Sequence, residues 1–200
     1  MIVLQETLGK RYGITEEDVE RILPLFEQVN FPKHSFLIQS NEISKNLFYI
    51  SKGLVKEFYT FDEINDEDNI TQFMKEGDFY FSINSFLENK PSDTITQVLE
   101  HSKIYILSLE KMQEYKKEIP GLQILTSQVC RDCLLRLSSR INIFMKSRKA
   151  KDRYNFFLEA NRELNNRLSD KNIASYLQIN SSTLSRIRTA PYTAVKSDQD

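Results

Sequence analysis

Histidine and cysteine are scarce: the 200 residues hold two of each. His34 and His101 lie far apart in the chain, so a metal centre built on clustered histidines has no ligand set. They are read as solvated or satisfied side chains and not as haem ligands. Cys130 and Cys133 form a lone C-x-x-C, which makes no disulfide framework. Neither a second such pair nor a nearby histidine completes a zinc site, and the first half of the chain has no thiolate for an iron–sulfur cluster. The pair could be redox-active or half of a metal site. Helical periodicity runs through both positions, and small apolar helix residues is the reading taken. There is also no Gly-rich phosphate loop, nucleophile motif or zincin helix, so an enzyme is not expected and no cofactor or metal is assigned. No stretch approaches the ~20 apolar residues needed to cross a membrane. The start, MIVLQETLGKRYG, lacks the basic lead and apolar run of a secretory signal, so a cytoplasmic chain without a membrane partner is expected.

What is present is an ordinary globular composition, 40% hydrophobic and 28% charged, with an uneven charge distribution. Residues 1–110 hold 10 Lys+Arg and 19 Asp+Glu, so −9; residues 111–200 hold 17 and 9, so +8, and the two halves sum to the net −1. A basic half can approach phosphates that an acidic half repels, although two solvated surfaces of unequal charge would look the same.

Residues 15–29, TEEDVERILPLFEQV, predict a helix. Thr15 is its N-cap, Asp18 stands at the third helical position, and Val19, Ile22, Leu23 and Phe26 form the apolar stripe. Pro24 would bend or break it. From Phe31 to about Leu109 the period shortens. Segments such as SFLIQ, NLFYISKGLVKEFYTF and KIYILSL are rich in aromatic and β-branched residues, and are separated by turn signals such as Pro32-Lys33, Lys52-Gly53 and Gly77-Asp78. Many short strands at this spacing imply an antiparallel roll or barrel. The acidic stretch DEINDED, 62–68, reads as a solvated hairpin tip, because its spacing is not that of a calcium loop.

A short helix is expected over 108–120, stopped by Pro120, and a long one from about Gly121 to Lys146. On the latter, Cys130, Leu134, Leu137, Ile141 and Phe144 recur with the heptad rhythm of a seam between helices. Leu122, Leu125 and Val129 form a second stripe. A helix with two stripes has two surfaces to bury, which points to a dimer. KSRKAKDR, 146–153, is a basic cluster that suits DNA phosphates or a solvated hinge, with Lys149 and Arg153 the candidate contacts. An amphipathic helix over 152–165 would face Tyr154, Phe157 and Leu158 inward. KNIASYLQINSSTLSRIR, 171–188, then reads as two short helices joined by a tight turn. Asn180, Ser181 and Ser182 are N-cap types, and Leu184 and Ile187 would be buried. Lys171, Ser181, Ser182, Thr183, Ser185, Arg186 and Arg188 would be left toward the outside. Such a face suits the major groove, while on this window alone a plain helical hairpin fits as well. The tail at 189–200 is polar and is expected to be disordered.

Taken in order, FPKHSFLIQSNEISKNLFYISKGLVKEF, the Lys52-Gly53 and Gly77-Asp78-Phe79 turns, and the basic helix pair resemble the Crp/Fnr family of bacterial transcription regulators. The ending LSRIR is most similar to members from the Bacteroidetes group. The resemblance covers about residues 12–188. It implies an α+β chain: a jelly-roll-like antiparallel β-roll for sensing (1–120), a dimerisation helix (121–147), and a winged-helix or helix-turn-helix DNA-binding domain (148–188). It also implies a β-hairpin at the connection 167–170. The function it implies is a homodimer binding double-stranded DNA, with RNA polymerase and a small-molecule effector as further partners. The alternative is a small-molecule module whose C-terminal helices contact protein and not DNA. The family's effector site maps to Phe79, Phe81, Ser82, Asn84, Ser85, Ser92, Asp93 and Thr94, residues that ordinary packing would also place together. Phe81-Ser82 stand at the family's Gly-Glu, and Ser92-Asp93 at its Arg-Ser. A carboxylate in place of the guanidinium repels a cyclic phosphate, so cyclic AMP bound in the family's mode is not expected. Arg186 aligns with the family's base-contacting Arg. Ser181 and Ser182 replace its Arg and Glu, which implies a different operator.

Overall fold

The computed structural model describes residues 2–60 and 68–189. Most of the acidic stretch 62–68 and the tail 190–200 lie outside the described residues. The chain forms two compact units, one of residues 1–59 and 73–135, the other of 60–72 and 136–200. The division falls inside the long helix.

The first unit opens with α1 (Ile2–Glu6) and a π-helical turn, Thr7–Arg11, neither of which the periodicity suggests. The following helix, α2 (Glu16–Ile22), is shorter than expected. Thr15 caps it as predicted, its hydroxyl accepting the Asp18 N–H at 3.3 Å. Pro24 then converts the helix to a 3-10 turn, and Glu27–Phe31, assigned mostly to the helix from sequence, is strand β1. Proline cannot donate the bond that would extend α2, and β1 instead finds its partners on a neighbouring strand.

The remaining strands are β2 (Phe36–Ile38), β3 (Asn46–Lys52), β4 (Val55–Thr60), β5 (Asp68–Met74), β6 (Phe79–Tyr80), β7 (Ile95–Val98) and β8 (Ser102–Ser108). They form two four-stranded sheets, ordered β1-β8-β3-β6 and β2-β7-β4-β5. The pairs β1–β8, β3–β8, β3–β6, β2–β7 and β4–β7 are antiparallel. This is the expected roll. Ile38, Phe48, Ile50, Val55, Met74, Tyr80, Val98 and Ile104 form its core, each at most 2% exposed. Burying an apolar side chain this fully contributes about 1.5–3 kcal/mol. Gly53 is needed for closure at one end: it sits at φ +112°, and a Cβ there would lie 1.9 Å from the Ser102 hydroxyl.

Between β6 and β7 lies α3 (Ile83–Glu88), ended by Asn89 in a left-handed conformation. After the roll come α4 (Leu109–Tyr115), capped by Ser108, and α5 (Gly121–Lys146), whose limits are those expected. The Asp18 carboxylate accepts the Gly121 N–H at 2.8 Å, satisfying an orphan donor at the start of α5. Leu122, Leu125 and Val129 are buried, as the inner stripe should be.

The second unit holds α6 (Ala150–Asn161), α7 (Asp170–Tyr176) and α8 (Ser181–Thr189). Phe157, Ile173, Leu177 and Leu184 are fully buried at its centre, with the Phe157 and Tyr176 rings 5.7 Å apart. The β-hairpin expected at 167–170 is not there. Leu164–Asn166 is a 3-10 turn, and the Arg167 and Leu168 N–H groups both return to the Leu164 carbonyl. This closes the connection too tightly for paired strands, and no strand occurs among the described residues of 136–189.

Candidate functional site

Two clusters carry chemistry. The first is the α7–α8 pair. Ser169 caps α7 through the Asn172 N–H at 3.2 Å, and Asn180 caps α8 through the Thr183 N–H at 3.1 Å. Of the three cap types read from sequence, Asn180 does the capping. The turn between the helices is set by Gln178, at φ +51°, with the Ile179 N–H returning to the Ala174 carbonyl at 3.0 Å. Leu184 is buried and Ile187 only half so, while Ser181, Ser182, Ser185 and Arg186 are exposed on the other face. Arg186 makes only long contacts, 3.4 Å to the Ser182 carbonyl and 3.5 Å to the Thr183 hydroxyl. Thr183 is half-buried and donates its hydroxyl to Asn180 at 2.6 Å.

Arg188 is placed differently from its sequence reading as an outward residue. Its guanidinium pairs with Asp170 and donates to Asn165 Oδ1 at 2.7 Å and the Tyr154 hydroxyl at 3.1 Å. It therefore ties α8 to α6, the 3-10 turn and α7. Arg153 likewise lies over the Phe144 ring, 5.4 Å from its centroid. Lys149 is exposed at the N-cap of α6, and Lys171 is exposed in the first turn of α7.

The second cluster lies in the roll. A chain of buried hydroxyls begins at Glu57, whose carboxylate accepts from Tyr80 at 2.8 Å and Thr94 at 3.2 Å. Tyr80 also meets Thr96 at 2.8 Å. From Thr94 the chain continues to Ser92 at 3.2 Å, to Ser82 at 3.2 Å and to Ser85 at 3.3 Å. Burial, and then the Glu57 charge, push the Tyr80 phenol well above its ordinary value. Ser82, Ser85, Ser92 and Thr94 are thus brought together. Asn84 and Asp93 pair with one another at 3.2 Å at the exposed rim. Phe81 packs on Phe86, and Phe79 points to the other side of its strand, against Tyr12, Phe26 and Tyr49. Sequence reasoning missed Glu57, Tyr80 and Thr96. The available signal was a carboxylate inside the otherwise buried run of β4.

Along α5, Leu134 and Ile141 are 66% and 60% exposed, and Cys130, Leu137 and Phe144 are half-buried. Leu135 and Met145, 60% and 79% exposed, widen this apolar stripe. Burial raises the Cys130 thiol above its ordinary value, which disfavours the reactive thiolate.

Residues 28–118 match the cyclic nucleotide-binding domain family. Among solved structures, a CooA mutant from Carboxydothermus hydrogenoformans is similar at 18% identity and a TM-score of 0.66, over 88% of this chain and 85% of that one. FixK2 from Bradyrhizobium japonicum is similar at 16% identity and 0.67, over 82% and 83%. The c-di-GMP responsive global regulator CLP of Xanthomonas campestris is similar at 14% and 0.62, over 86% and 89%. A comparison with curated proteins finds no match. Roll, long helix and C-terminal helices follow one another as in these solved structures, so the chain shares their fold, and residues 28–118 are the part similar to the cyclic nucleotide-binding domain.

Proposed function

We propose that the protein is a homodimeric, sequence-specific DNA-binding transcription regulator and not an enzyme. The observation that carries this reading is α8: Leu184 anchors one side, and Ser181, Ser182, Ser185 and Arg186 are presented on the other. A short helix with that face fits the major groove. There Arg186 would meet guanine with two parallel hydrogen bonds, while Lys149 and Lys171 would meet phosphates. The exposed stripe on α5 supports pairing of two subunits, which would set half-sites about one helical turn apart.

The effector, if the roll takes one, differs from cyclic AMP. The hydroxyls from Ser82 to Thr94 bond to one another, no guanidinium stands among them, and Asp93 at the rim repels a phosphate. A cytoplasmic location and contact with RNA polymerase follow from the role proposed. No helix among the described residues is long and apolar enough to cross a membrane.

Selection of bound DNA from a random pool, with and without cell extract, tests the DNA reading, the half-site spacing and effector dependence together. Arg186→Ala should cost about 1–3 kcal/mol and relax preference at one position. An unchanged operator preference would remove Arg186 from the interface. Thermal stabilisation by metabolites with no DNA retained at low salt would favour the protein-contact module.

A further inference from the structure

Strand β5 stands at the edge of its sheet, where backbone groups on the outer side seek partners. Its first residues find them on α7. The Ser175 hydroxyl donates to the Asp68 carbonyl and accepts the Ile70 N–H at 3.0 Å. Two residues on, the Gln72 side-chain carbonyl accepts from Arg136 at 3.4 Å. A single serine thus bridges two backbone groups 107 and 105 residues away. The contact places Asp68 and Asn69 on the wall of a groove of about 400 Å³ that Lys171, Asn172, Asn180 and Ser181 also line. These belong to the starts of α7 and α8, the positions a phosphate backbone reaches when α8 enters a groove. A carboxylate at that place opposes phosphate.

We infer that the Ser175 contact is an autoinhibitory latch, which clamps the edge of β5 to α7 and keeps Asp68 in the path of the DNA backbone. The inference rests on the DNA reading proposed above. While the latch is closed, only the open fraction binds, and the apparent affinity is reduced by that fraction. Removing two hydrogen bonds of ordinary net strength raises the open fraction about tenfold.

The test uses the full chain, the operator obtained by selection, and two variants, Ser175→Ala and Asp68→Asn. Ser175→Ala is expected to tighten operator binding about tenfold without changing base preference, and to speed hydrogen exchange at the Ile70 amide. Asp68→Asn is expected to tighten binding by an amount that shrinks as salt is raised. It leaves both Ser175 contacts in place, so the test stands even if Ser175→Ala fails to fold. Faster exchange at Ile70 with unchanged or weaker affinity overturns the latch. Equal affinity of wild type and both variants overturns the latch alone. No DNA retention by any of the three overturns the DNA reading and the latch with it.

Discussion

Replacing Arg188 by alanine separates a structural arginine from the one two residues away that is proposed to read DNA. The Arg188 side chain is 27% exposed and holds together four segments of the second unit. Its partner Asp170 is 47% exposed, so that ion pair contributes little, about 0.2–1 kcal/mol. The bonds to Asn165 at 2.7 Å and Tyr154 at 3.1 Å are better shielded. Each is a charge-assisted bond of about 1 kcal/mol or more. Together the loss should be about 2–3 kcal/mol. For a unit of this size that corresponds to roughly 10 °C in melting temperature. Arg188→Lys should recover less than half, because an ammonium cannot reproduce the planar fork. Arg186→Ala should leave the melting temperature nearly unchanged, since its contacts are long and exposed, and act instead on operator affinity. Calorimetry and fluorescence anisotropy on the same three variants decide the matter. If Arg188→Ala melts like the wild type and weakens operator binding as much as Arg186→Ala, Arg188 is a DNA contact and the pinning role is wrong.

Gly53→Ala should destabilise the roll by about 3 kcal/mol, through its positive φ and a Cβ driven into Ser102, read as a lower denaturant midpoint with unchanged slope. Leu134→Asp combined with Ile141→Asp should convert the proposed dimer to a monomer in sedimentation equilibrium, with the monomer still folded, because both side chains are exposed within one chain. The buried Tyr80 phenol holds its proton more tightly than in the unfolded chain, so its share of stability is present below pH ~10 and falls as pH rises beyond it. Tyr80→Phe should therefore lose less stability than the wild type between pH 9 and pH 11 in urea titrations. It should be the weaker protein at pH 7, where Glu57 and Thr96 lose a partner.

The order of elements was legible from local signals. Period-two runs and Gly or Pro turns marked the strands of the roll. Pro120 and the heptad spacing that follows it marked α5, and Thr15 and Asn180 behaved as N-caps because capping needs only a short side-chain oxygen within one turn. The end of α2 was overrun because β1 is held by β8, a partner some seventy-five residues away that periodicity cannot see. The candidate site divides in the same way. That α8 would present Ser181, Ser182, Ser185 and Arg186 follows from helical spacing alone, as does the exposed seam of Leu134 and Ile141. That Arg188 turns inward does not follow, because its partners Tyr154, Asn165 and Asp170 are gathered only by packing of α6, the 3-10 turn and α7. Nor could spacing show that Glu57 and Tyr80 anchor the hydroxyls of Ser82, Ser92 and Thr94, or that Ser175 binds the edge of β5. Periodicity, capping and charge sign are properties of neighbours along the chain, and the sequence by itself determined those. Which polar groups satisfy one another once water is excluded depends on residues far apart in sequence, and only the tertiary structure decided that.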